Sequence, residues 1–269
     1  MERFRPSATA VTVACLVLAA AGFVRCKNDT RAPARAPSAA TSVATAEVDP
    51  PPAPTPSASA PPPAPAEKRR FVVAAIGDSI TDVRSHGGKY LAYVQERCPK
   101  SQFDNYGKGG DMVNQMRRRF GEVMGELGPK PAYTHLLVFG GVNDIYSDLT
   151  AGRNPQNVSA DLAYMYQRGR ERGMRIIAVT VAPWGGFTKY YNEKRGKATR
   201  ELNDWIRAQL EAKTVDYVVD AYALLSCGNP DFLCPDYEVK HLKDGLHFAQ
   251  PGHERLGAAL YEKVFADCL

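Results

Sequence analysis

Short, unbroken apolar runs recur along the second part of this sequence, and they restrict its fold more than any other feature. FVVAAIG begins at Phe71, HLLVFGG spans His135 to Gly141, RIIAVTVAP spans Arg175 to Pro183 and VDYVVDAY spans Val215 to Tyr222, with a weaker QFDNYG from Gln102 to Gly107. Runs of this length without polar alternation are the pattern of strands buried on both faces of a parallel sheet. Helical periodicity fills the intervals, at Lys89 to Arg97, Met112 to Leu127, Ser159 to Arg172 and Asn192 to Lys213, where Leu202, Ile206 and Leu210 share one face. A last helix begins near Pro251, with Leu256, Leu260 and Val264 as its apolar stripe. Such alternation predicts a three-layer α/β/α domain, a parallel sheet of about five strands joined by right-handed crossovers. Ligands of such sheets bind at the carboxyl ends of the strands.

The chain ahead of these runs has a different character. Residues 33–66 hold 11 Pro and 11 Ala, with almost no large apolar side chain. Such a segment cannot bury a core and favours extended polyproline II, so 27–66 reads as a disordered, semi-rigid linker. Arg3 and Arg5 precede an apolar run from Ala8 to Val24, the pattern of a signal peptide or signal anchor over 1–26. The expectation is an exported protein, periplasmic, cell-envelope or secreted, with a folded domain over 67–269. An uncut N-terminal segment would tether it to a membrane. Arg25 before Cys26 is a poor match to a lipid attachment site.

Formal net charge is +5, and the first 66 residues contribute six Lys or Arg against four Asp or Glu. What remains on the domain is no nucleic-acid footprint. The densest basic cluster, Arg117-Arg118-Arg119, falls on a helical pattern and reads as a solvated face. Four cysteines follow the linker, Cys98, Cys227, Cys234 and Cys268. In an oxidising compartment they permit disulfides. Cys227 and Cys234 flank Gly228-Asn229-Pro230-Asp231, so a local bridge across that turn is the favoured pairing. Their spacing is not that of a zinc site, and no metal or organic cofactor is expected.

The polar residues that close the apolar runs carry the chemistry. Gly77-Asp78-Ser79-Ile80-Thr81 follows the first run and places a hydroxyl at a strand-to-helix turn. Ser79 is a candidate nucleophile there, or a helix cap. A serine hydroxyl needs a base, and the base needs an orienting group. Asp244-Gly245-Leu246-His247 supplies both, with the carboxylate three residues from the imidazole. His135, His253, His86 and His241 read as structural or exposed. An acyl-transfer site also needs donors where negative charge develops. Gly107-Lys108-Gly109-Gly110-Asp111 after the second run and Gly141-Val142-Asn143-Asp144 after the third can provide them.

Taken in order, GDSIT, KGGD, GVND and DGLH resemble the block signatures of SGNH hydrolases, also called GDSL esterases and lipases. The resemblance covers the chain from about Phe71 to the last helix. It implies a flavodoxin-like sheet and a triad of Ser79, Asp244 and His247. It further implies an oxyanion hole of the Ser79 and Gly110 backbone N–H groups with the Asn143 side chain. Ile80 stands where the family name has leucine, and Lys108-Gly109 departs from the usual pair before the oxyanion glycine, which leaves Gly109 and Gly110 to be separated.

The expected activity is that of a serine esterase acting through an acyl-enzyme on a small-molecule or glycan ester, with short-chain or O-acetyl groups on carbohydrate favoured by export. An O-acyltransferase using the same triad and a non-catalytic carbohydrate-binding domain are the alternatives. Trp184, Phe187, Tyr190 and Tyr191 follow the fourth run, and Trp184 and Tyr190 are the candidate substrate contacts.

Overall fold

The computed structural model describes residues 68–126, 133–242 and 244–269. The signal segment over 1–26 and the linker over 27–66 lie outside the described residues. Five parallel strands form one sheet: β1 (Val72–Gly77), β2 (Gln102–Gly107), β3 (His135–Phe139), β4 (Arg175–Val179) and β5 (Tyr217–Val219), in the order β2-β1-β3-β4-β5. This is the flavodoxin-like order, and its direction of winding reverses between β1 and β3. Gly77 pairs with Gly107 on one side and Phe139 on the other, so three strand ends meet at one level. β1 and β3 are buried throughout, whereas β2 is half-buried at the sheet edge, which is why QFDNYG reads as the weakest run.

Eight α-helices accompany the strands among the described residues: α1 (Lys89–Arg97), α2 (Val113–Glu126), α3 (Val142–Tyr146), α4 (Asp148–Ala151), α5 (Pro155–Glu171), α6 (Glu193–Glu211), α7 (Ala221–Leu225) and α8 (Gln250–Leu260). Successive strand side chains face opposite sides. Ala74, Ile76, Leu136, Val138 and Ile176 therefore pack with α2, α5 and α6 on one face. Val73, Ala75, Leu137, Phe139 and Ile177 pack with α1 and α8 on the other.

α5 starts four residues before the predicted Ser159, because Asn154 caps it reciprocally with Asn157 and Pro155 occupies its first turn. Leu202 and Ile206 are fully buried as the stripe of α6 predicts, but Leu210 is exposed, since the last turn of α6 carries it past the packed layer. α3, α4 and α7 are too short to show a helical period.

Two disulfides close the domain. Cys227–Cys234 is the expected local bridge, and Cys98–Cys268 joins the end of α1 to the C-terminus. There Arg69 N–H donates to Asp267 O and Leu269 N–H to Arg69 O, so both ends of the described domain are tied together.

Candidate active site

β1 ends where its backbone turns sharply over Asp78. The Thr81 and Asp82 N–H groups donate to Asp78 O at 3.1 and 2.9 Å, and Ile80 N–H donates to Asp78 Oδ1 at 3.0 Å. This turn leaves Ser79 partly exposed at the carboxyl end of β1. Asp78 itself is buried, and burial raises its carboxyl to about 7 against the opposing Ile80 N–H and the nearby His247.

Facing it is the loop before α8. Ser79 Oγ lies 2.9 Å from His247 Nε2, and His247 Nδ1 lies 2.6 Å from Asp244 Oδ2. A carboxylate only accepts, so Nδ1 carries the ring proton and Nε2 is left to accept from the serine hydroxyl. Asp244 Oδ1 takes the Leu246 and His247 N–H groups at 3.0 Å each. Burial pushes Asp244 upward, but the His247 ring and these N–H groups outweigh it and hold the carboxyl at about 2. The Asp244 hydrogen bond in turn raises His247 against its own burial. The loop keeps this shape through Gly245, whose φ is 64° and where a Cβ would come within 2.2 Å of the Gly186 backbone.

The second wall is the loop from β2 to α2. Lys108 N–H donates to Gly77 O at 3.0 Å, fastening the end of β2 to β1. Gly109 N–H is taken by Asp82 Oδ2 at 2.9 Å, and the Arg84 side chain, bonded to the same carboxylate, brings Asp82 down to about 2. Gly110, at φ 80°, is exposed, and a Cβ there would meet nothing within 4 Å. Asn143, in the first turn of α3, is buried and donates from Nδ2 to Asp111 O at 2.9 Å. The next residue, Asp144, accepts Val113 N–H at 2.8 Å and pairs with Arg153 at 2.7 Å.

Ser79 and His247 stand between two hollows. One, of about 690 Å³, is bounded by Lys108, Gly110, Asn143, Tyr146 and Phe187. The other, of about 500 Å³, lies toward Ile80, Val239, Phe248 and His253. Leu242 borders both.

The predicted serine, aspartate, histidine, glycine and asparagine are thus gathered at the strand ends. The aromatic contacts need correction. Trp184 is fully buried, its Nε1 donating to Thr199 Oγ1 at 2.9 Å, because the chain past β4 turns this side chain inward against α6. Tyr190 does not border the open cleft. Its ring packs against Phe187 and Tyr146, with centroids 4.9 and 5.3 Å apart, and backs the two aromatics that do. Tyr146 was missed although it lies three residues after Asn143 on the same helix, on the same face. Arg119 was misread as solvated. Its side chain is 16% exposed and bonds Asp111, Tyr106 O and Gly77 O.

The sequence pattern of the GDSL-like Lipase/Acylhydrolase family matches residues 75–255. No curated protein matches by sequence. Among solved structures, a GDSL-like lipase from Bacteroides thetaiotaomicron is similar with a TM-score of 0.58 at 19% identity, over 71% of this chain and 86% of that one. A lipase/acylhydrolase from Enterococcus faecalis is similar with a TM-score of 0.57 at 22% identity, over 73% and 96%. A psychrotrophic esterase from Pseudoalteromonas, in a structure inhibited by monoethylphosphonate, gives 0.52 at 12% identity, over 72% and 96%. At such identities these likenesses show the shared fold.

Proposed function

Because this chain belongs to the GDSL-like lipase/acylhydrolase family and is an ester-hydrolysing serine hydrolase, we propose that Ser79, His247 and Asp244 are its catalytic triad, acting on short-chain or O-acetyl esters of carbohydrate. The observation that carries this reading is the unbroken hydrogen-bonded line from Asp244 through His247 to Ser79 Oγ, opening onto a cleft bordered by Gly110 and Asn143.

In the proposed reaction His247 Nε2 takes the Ser79 proton as Oγ bonds to the ester carbonyl carbon. The carbonyl electron pair moves onto oxygen, and the oxyanion is held by the Ser79 and Gly110 N–H groups and the Asn143 amide. Gly110 is preferred to Gly109 because Asp82 already holds the Gly109 N–H. Collapse of the tetrahedral species breaks the bond to the alcohol, which leaves with the proton from His247. Water then repeats the sequence on the acyl-enzyme, releasing the acid and restoring Ser79. Asp244 stays ionised throughout, fixing the ring and stabilising the imidazolium.

A sugar ring has apolar faces and polar edges. The cleft offers Tyr146 and Phe187 beside Lys108 and Ser85, a mixture that suits such a group. Export is supported by the two disulfides, which form and persist in oxidising compartments. The test is release of 4-nitrophenol from its acetate, butyrate and octanoate esters, and of acetate from an acetylated xylo-oligosaccharide, by the purified protein and Ser79→Ala. Serine-dependent release from the oligosaccharide is expected; release from the nitrophenyl esters alone would remove the carbohydrate assignment.

A further inference from the structure

We propose that Arg119 is a positioning residue for the oxyanion hole, a guanidinium that sets the distance between Ser79 and the Gly110 and Asn143 donors; this rests on the reading of those groups given above. Arg119 lies in the second turn of α2. Its Nε donates to Asp111 Oδ2 at 2.6 Å, Nη1 to Tyr106 O at 2.7 Å and Nη2 to Gly77 O at 2.9 Å.

The three acceptors belong to three separate pieces of the site. Gly77 O is the carbonyl of the residue leading into Asp78 and Ser79. Tyr106 is the penultimate residue of β2, just before the loop that carries Gly110. Asp111 follows Gly110, and its own carbonyl receives the Asn143 amide. One rigid planar group therefore holds the nucleophile turn, the end of β2 and the donor loop together. A guanidinium presents its donors in a fixed fork, so no one of these pieces can drift without breaking a bond to the others. Lysine, a compact charge on a flexible stem, cannot span three acceptors in this way.

Oxyanion donors act only when they lie at hydrogen-bond distance from the oxygen that becomes charged. A small drift of the loop from Lys108 to Asp111 relative to Ser79 therefore lowers the rate and leaves ground-state binding almost unchanged. The Asp111 carboxylate is also buried, and losing Arg119 leaves it unpaired. Some loss of stability will accompany Arg119→Met, so a catalytic effect must be separated from a general one.

The experiment measures kcat and KM on 4-nitrophenyl acetate for Arg119→Lys and Arg119→Met, each alone and combined with Asn143→Ala, with folding checked by near-UV circular dichroism. Either change alone is expected to lower kcat by about 10- to 100-fold with KM within about threefold. In the Asn143→Ala background the same change costs less than it does alone, because one of the two donors it positions is already gone and only the Gly110 N–H is left to displace. Inhibition by a trifluoromethyl ketone, whose hemiketal oxyanion occupies the hole, weakens in parallel with kcat. Should Arg119→Met fail to fold, Arg119→Lys decides. Equal losses with and without Asn143, or a folded Arg119→Lys with undiminished kcat, would overturn the proposal while leaving the oxyanion hole standing. Undiminished kcat in Asn143→Ala itself would instead remove the reading beneath it, and this proposal with it.

Discussion

His247 Nδ1 lies 2.6 Å from Asp244 Oδ2, and the other oxygen of the same carboxylate receives the His247 backbone N–H. One side chain therefore fixes both the position of the histidine and the tautomer of its ring. Asp244→Asn keeps the shape but offers an amide that can donate to Nδ1, turning the ring proton toward Ser79. On the order of a thousandfold loss of kcat is expected. The pH dependence follows from the sign of the shifts. His247 must be neutral to act, and the Asp244 bond raises it above its ordinary value of 6.5. In the wild type kcat/KM therefore rises with pH through a midpoint above 6.5, and in Asp244→Ala that midpoint moves down. Rate profiles on 4-nitrophenyl acetate between pH 5 and 9 check both; an unmoved midpoint would detach Asp244 from the acid limb.

Two hollows flank Ser79, and an ester has two arms to place in them. If the acyl arm enters the one bordered by Val239 and Phe248, each added methylene buried there contributes about 0.8 kcal/mol, roughly fourfold in kcat/KM. Val239→Trp then fills this space. It is expected to lower the octanoate-to-acetate ratio of kcat/KM at least about tenfold while acetate turnover changes less than about threefold. An equal loss across acetate, butyrate and octanoate would place the alcohol arm on that side.

How far the sequence reaches depends on how local the signal is. The buried strands and long helices were legible because burial on two faces, or on one stripe, writes a period into the chain. Ser79, Asp244 and His247 were legible as a candidate triad because such groups are restricted to few residue types, each here in a short motif at a strand end or before the last helix, with Asp244 three residues from His247. Trp184 was misplaced because whether an aromatic after a strand turns inward depends on a partner fifteen positions on, Thr199 on α6. Arg119 was misplaced for the same kind of reason. Val113, Met116 and Phe120 mark the buried stripe of α2, which leaves Arg118 on the far side but Arg119 on its flank. Only the sheet order brings Gly77 and Tyr106 to that flank.

Gly245 is held at φ 64° with its α-carbon against the Gly186 backbone, between the loop after β4 and the loop that carries His247. A Cβ there meets carbonyl and α-carbon atoms that cannot rotate away. Gly245→Ala therefore combines left-handed backbone strain with a backbone clash, for a destabilisation on the order of 3 kcal/mol or more. Because the displaced loop is the one that aims His247 at Ser79, kcat falls further than stability alone explains. Thermal unfolding and kcat measured well below the transition check the two effects separately. A variant that loses stability but keeps kcat would show that the loop tolerates displacement without moving the ring.

Buried Asp78 makes stability fall as pH rises toward neutral, whereas buried His135 and His253 make it fall as pH drops toward 4. The Asp78 carboxyl is raised by burial from 3.8 to about 7, so across that interval the folded state holds a proton that the unfolded chain has released. Stability from this group falls as pH rises from about 4 to 7, by about 4 kcal/mol once ionisation is complete in both states. His135 and His253 act in the opposite direction. Burial lowers each to about 4, so the unfolded chain takes up protons first as pH falls below 6.5, and stability is lost toward pH 4. Asp78→Asn removes the ionisation while its amide oxygen can still receive the Ile80 N–H now held by Asp78 Oδ1. Its melting temperature should exceed the wild-type value at pH 8, with the gain shrinking toward zero at pH 4, where both side chains are uncharged. Thermal unfolding at pH 4, 6 and 8 distinguishes this from a simple packing effect, which would shift the transition equally at all three.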